Sequence, residues 1–168
     1  MSGFVYKNGD SEVRGDFSRL NKLVKKLSKK LYTDIGILGK GGKTEKGGIT
    51  LAGIGAVHEF GTDKAGRGNT TVIPERSFIR MPLETGQEFI EKSIDSRVKE
   101  LMENGDIEGI FKLIGIAGEA RIQEAFETGG FGTWEELAEA TKNAKGSDAI
   151  LIDKGPLRQA ITSRVGGK

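Results

Sequence analysis

A chain of 168 residues is long enough to bury one core and rarely makes two, so a single domain is expected. It has no cysteine, which excludes disulfides and thiolate metal sites. Its one histidine has neither the second ligand of a metal centre nor a nucleophile beside it; no apolar run approaches a membrane span, and the opening Met-Ser-Gly-Phe-Val-Tyr-Lys lacks the character of a secretory leader.

The net charge of +2 hides a polarity along the chain. Residues 1–46 carry eleven Lys and Arg against five Asp and Glu, whereas residues 82–140 carry five against fourteen. If the two segments face opposite sides, such a subunit suits head-to-tail association with copies of itself.

Taken in order, residues 1–16 are mostly polar, with Phe4, Val5, Tyr6 and Val13 apolar, and read as an extended arm or short edge strand. Over residues 17–31 the positions Leu20, Leu23, Val24, Leu27 and Leu31 recur at helical spacing, with Asp16 as N-cap and no Gly or Pro inside. This predicts a helix with one buried stripe. Its other face, with Lys25, Lys26, Lys29 and Lys30, can either track a phosphate backbone or lie in solvent.

Residues 33–38 alternate as a strand, and the Gly- and Lys-rich stretch 39–48 reads as a mobile hairpin tip. Gly-Lys-Gly-Gly-Lys-Thr within it is not a phosphate loop, because the spacing between the first Gly and Gly-Lys-Thr is too short and no helix opens after it.

Residues 49–60 fit either period; we read strand at 49–51 leading into a short helix through Glu59, stopped by Gly61, with His58 near the helix C-terminus. Residues 61–71 read as a mobile loop bearing Lys64 and Arg67, and 70–73 as a strand ended by Pro74. Pro82 suits the first turn of a long helix to about Glu103, where Asn104-Gly105 stops it.

Asp106 then caps a second helix, and the two pair antiparallel, with Gly115 and Gly118 permitting close approach of a neighbour. Thr133 caps a predicted helix over 134–143 with Leu137 and Ala138 inward; 149–152 reads as a strand, 155–160 as a turn and short helix, and 161–165 as a closing strand. The resulting class is α+β, a mainly antiparallel sheet with packed helices.

Two blocks of residues resemble one known family. The first is Ala56-Val57-His58-Glu59-Phe60-Gly61, a variable loop, then Ile73-Pro74-x-Arg76-x-Phe78-Ile79; the second is Trp134, Leu137 and Thr141 followed by Asp153, Gly155 and Leu157. Together they are similar to the tail-completion or virion-morphogenesis proteins of tailed bacteriophages, with Ser77 where that family commonly has proline.

The resemblance implies a structural subunit rather than an enzyme: a ring, hexameric or dodecameric, at the phage neck or tail end, made in the host cytoplasm and carried in the virion. Its implied partners are further copies of itself and connector, head-completion or tail-tube proteins, with no cofactor and no membrane. Lys25, Lys26, Lys29, Lys30, Lys64 and Arg67 are then candidates for a subunit interface or for facing packaged DNA. The alternative from the residues themselves is a small nucleic-acid-binding module using the Lys-rich helix and the basic loops.

Overall fold

Seven helices and six strands are seen in the computed structural model, which describes residues 3–8, 11–16, 18–38, 48–66, 68–146, 150–151 and 155–167. In chain order they are β1 (Gly3–Asn8), β2 (Ser11–Asp16), α1 (Ser18–Leu27), β3 (Leu31–Ile37), α2 (Leu51–Phe60), β4 (Thr62–Ala65) and β5 (Thr71–Ile73). There follow α3 (Arg80–Thr85), α4 (Gln87–Glu103), α5 (Ile107–Thr128), α6 (Glu139–Lys145), α7 (Pro156–Gln159) and β6 (Ile161–Gly167). The class is α+β, as expected. Among the described residues the strands form three antiparallel pairs, β1 with β2, β3 with β6 and β4 with β5.

α5 is the axis of the molecule. Asp106 caps it, its carboxylate accepting from the Gly109 amide at 3.0 Å, and Gly129 ends it in the left-handed region at φ 61°. One side of α5 lies on the β3–β6 ribbon and another packs against α4.

The ribbon can come this close because Gly115 has no side chain: a Cβ there would collide with Ser163 of β6 and stand 3.1 Å from Thr33 Cγ2 of β3. Thr33 also donates to the Phe111 carbonyl at 2.8 Å. β3 therefore starts beside the first turns of α5, and Ile35 reaches Gly118 one turn further on.

At the far end of β3 lies the core: Phe78, Ile122, Ala125, Phe126, Trp134, Leu157 and Ile161. Phe126 stands at its centre, with ring centroids 5.3 Å from Phe78 and 6.0 Å from Trp134, the latter edge-on. α7 is pinned on α5 by a reciprocal pair, Arg158 Nε donating to Gln123 Oε1 at 2.6 Å and Gln123 Nε2 to the Arg158 carbonyl at 3.1 Å. Arg121 closes the group on its solvent side, its guanidinium 3.9 Å from the Phe131 ring centroid and 5.3 Å from that of Phe89.

Several expectations are corrected. The first helix is shorter than its apolar spacing suggests: Asp16 belongs to β2, Leu31 opens β3, and Val24 and Leu27 are each 54% exposed. No buried stripe runs through Val24 and Leu27.

Of residues 49–51, expected as a strand, only Thr50 keeps a β-bridge, and it is also the N-cap of α2, its hydroxyl accepting from the Gly53 amide at 3.1 Å; Leu51 is already helical. Residues 62–65 are not an irregular loop but β4, paired back on β5 with Thr62 opposite Ile73. The expected long helix from Pro82 is broken at Gly86 into α3 and α4: the Gly86 position is crowded by the Pro82 carbonyl and by Arg121 Cγ.

Residues 134–138 are not helical, and Ala138 is exposed while Leu137 is half-buried. Ile150 and Leu151 lie in a turn, with Leu151 at φ 57°, rather than in a strand. The expectations for Arg67, for Asp153 and for 39–47 lie outside the described residues.

Candidate functional site

Glu59 organises the residues singled out from the sequence. It lies in the last turn of α2, a helix whose only other ionisable group is His58, and it is 5% exposed. Its two carboxylate oxygens take four hydrogen bonds from one short segment. Oε1 accepts from Ser77 Oγ at 2.6 Å and the Arg80 amide at 2.9 Å, and Oε2 from the Phe78 and Ile79 amides at 2.8 and 2.9 Å.

These amides open α3, where helix geometry leaves the first donors without intrahelical partners. α3 lacks a capping bond from its own N-cap residue, Ile79; the carboxylate of α2 supplies the acceptor in its place. Only a carboxylate, with two acceptor oxygens and no donor, can take all four bonds. Ser77 adds a further contact, its hydroxyl accepting from the Met81 amide at 3.0 Å, so a serine where the resembled family commonly has proline is tied into the cap.

Gly61 ends α2 at φ 68° and ψ 174°, backbone that is essentially reserved for glycine. A Cβ there would lie 2.8 Å from the Glu75 amide nitrogen and 3.0 Å from the Ile73 carbonyl oxygen. The chain can thus fold back, and the Arg76 amide donates to the His58 carbonyl at 2.8 Å.

Arg76 then reaches across to the second block. Its Nε and Nη2 both donate to the Glu135 carbonyl at 3.0 Å, and Nη2 to the Glu136 carbonyl at 3.2 Å. Burial pulls the Arg76 pKa below its usual value, an effect opposed by the charge of Glu135. In the other direction, Trp134 Nε1 donates to the Ser77 carbonyl at 3.3 Å.

The two blocks therefore meet. Glu59, Arg76, Phe78, Trp134 and Leu157 form one buried unit, with Phe78 and Leu157 packed under α2 at Gly55. Pro74 is half-buried at its edge, Gly155 begins α7 at φ 80°, and Thr141 is exposed on α6. Phe60, by contrast, points away and is 68% exposed. The fixed carbonyls of Glu135 and Glu136 could not have been found from sequence, since any residue type supplies them.

The basic candidates divide into two groups. Lys25, Lys26, Lys29 and Lys30 are exposed on or just after α1, with Lys26 Nζ donating to the Gly105 carbonyl at 2.6 Å. Lys64 is exposed on β4, beyond α2, and is not brought to them. Among the described residues no group of three or more His, Asp or Glu could hold a metal ion, and no helix is long and apolar enough to cross a membrane. Glu59 and Arg76 are committed to backbone groups and, for Glu59, the Ser77 hydroxyl, an arrangement that holds loops in place. Comparison with protein-family models, with curated proteins and with solved structures finds no match to the chain.

Proposed function

We propose that the chain is a structural subunit of a tailed-phage virion, assembling into a ring at the neck or tail end that completes the tail or joins it to the head. The observation that carries this reading is the use made of the residues on which the resemblance to that family rests. Glu59, Arg76, Ser77, Phe78 and Trp134 are joined through the Glu59 carboxylate, the Arg76 guanidinium and the Trp134 indole into a bracket that locks loops.

Residues shared for building a scaffold suit an assembly protein better than an enzyme, whose shared residues would converge on a substrate. The polarity of charge between residues 1–46 and 82–140 carries no weight here, because the two segments pack on one another, with Lys26 bonded to Gly105 and Thr33 to Phe111. The test is the mass of the native particle, by light scattering and negative stain, alone and with connector and tail-tube proteins. A ring under either condition is expected. A chain that stays monomeric with every such protein, while binding DNA with a steep salt dependence, would move the assignment to a nucleic-acid-binding module.

A further inference from the structure

From α3 to β6 seven basic side chains are neutralised inside the chain. Arg80 pairs with Glu75, Lys92 with Glu88, Lys112 with Glu108, Arg121 with Glu124, Arg158 with Glu127 and Arg164 with Asp34, and Lys142 lies 3.2 Å from both Glu136 and Glu139. The lysines of α1 are treated differently. Lys22, Lys25, Lys26 and Lys29 are exposed, and among the described residues none of them forms an ion pair. Like charges at i, i+3 and i+4 oppose the helix that carries them. The helix dipole favours Lys25 and Lys26 in the last turn, but it gives no reason for Lys22.

The four lysines line one groove of about 360 Å³, whose opposite wall is Met102 to Gly105 at the end of α4. Only one acidic residue, Glu103, is on that wall. The lysines recur at i, i+3, i+4 and i+7, so an ammonium stands about every 5 Å along a row of about 10 Å. Lys26 Nζ is tied across the groove to the Gly105 carbonyl at 2.6 Å, while the donors of Lys22, Lys25 and Lys29 are left for a ligand. Beyond Lys29 the surface turns acidic, with Asp106 and Glu108, and the positive stretch ends there.

Four cations in a row exceed what a single carboxylate or a single phosphate needs; their match is an anion that repeats. Lysine meets phosphate as a point charge with three donors. A guanidinium, which suits the paired oxygens of a carboxylate, is absent from the groove among the described residues. We infer that the groove between α1 and the end of α4 holds the phosphate backbone of DNA, with the lysines taking the place of condensed counterions. Contacts to phosphate carry no sequence information, so the site takes any sequence. Lys64, on β4, lies apart from it. The inference goes beyond the assembly reading and does not rest on it, since a ring or a single subunit can bear the groove.

The test is fluorescence anisotropy of a labelled duplex of about 20 base pairs, titrated with the full chain at about 50 and about 200 mM salt. With four phosphates neutralised, affinity should fall about 100-fold between the two salts. A Lys22→Gln/Lys25→Gln/Lys29→Gln variant, which keeps the Lys26 tie, should lose about tenfold or more at the lower salt and show only about a fourfold salt effect. Lys64→Gln/Lys92→Gln/Lys99→Gln removes the same charge elsewhere and should stay within about twofold of the parent chain. Equal losses in the two variants would reduce binding to net charge and overturn the inference, as would a parent chain that does not bind at the lower salt. Displacement of the DNA by a poly-glutamate peptide at equal charge concentration would hand the groove to an acidic protein and also overturn it. Lysine acetylation of the parent chain, read by mass spectrometry, needs no variant: DNA should protect Lys22, Lys25 and Lys29 about fivefold and leave Lys64 and Lys99 unchanged, and uniform protection would contradict the site. Particle mass in the same samples tests the assembly reading separately, so rings that bind no DNA would overturn this inference alone.

Discussion

The bracket around Glu59 and helix α1 are built on opposite terms. In the first, a buried carboxylate, a buried guanidinium and an indole nitrogen all have partners inside the subunit, and Phe78, at 0% exposure, packs beneath them. In the second, Lys26 is tied to the Gly105 carbonyl while Val24 and Leu27 face water. Burying a leucine or valine fully is worth about 1.5–3 kcal/mol, and α1 forgoes much of that within the subunit. On the assembly reading, that division suits a subunit with a fold stable before association and surface covered only on association.

Breaking the bracket should cost most. Glu59→Ala leaves three amides and a hydroxyl without acceptors; at about 1–3 kcal/mol for each unsatisfied buried group, partly offset by water, the expected loss is about 4 kcal/mol by urea unfolding. Glu59→Gln keeps the shape but turns an NH₂ toward donors, and about 2 kcal/mol is expected. Arg76→Lys retains the charge but cannot reproduce the guanidinium fork on the Glu135 and Glu136 carbonyls, so about 1–2 kcal/mol should go. At the small end, Leu27→Ala in the free subunit should change stability by no more than about 0.5 kcal/mol, against the about 2–5 kcal/mol of a core leucine. A loss of core size at Leu27 would erase the contrast between the two regions.

What could be read from the sequence follows the same line. α5 was legible because its cap at Asp106 concerns its own residues, and β6 and β3 were placed within a few residues from their own local pattern. α1 was legible as a helix but not in its orientation: amphipathic spacing did not show that Val24 and Leu27 stay exposed. The Glu59 cap was not legible, since its partners lie 18 to 21 residues on and three of them are backbone amides that carry no residue signature.

β4 escaped notice because Thr-Asp-Lys-Ala has no apolar alternation and is held by pairing with β5. At Ile150 and Leu151 an apolar run suggested a strand, but both side chains reach the core from a turn.

The contrast between the packed bracket and the exposed α1 is tested most directly by amide hydrogen exchange, followed by mass spectrometry on the free subunit. The account expects α5 and residues 76–80 to be slow, and α1 to exchange at least tenfold faster. Protection of α1 matching that of α5 would contradict it.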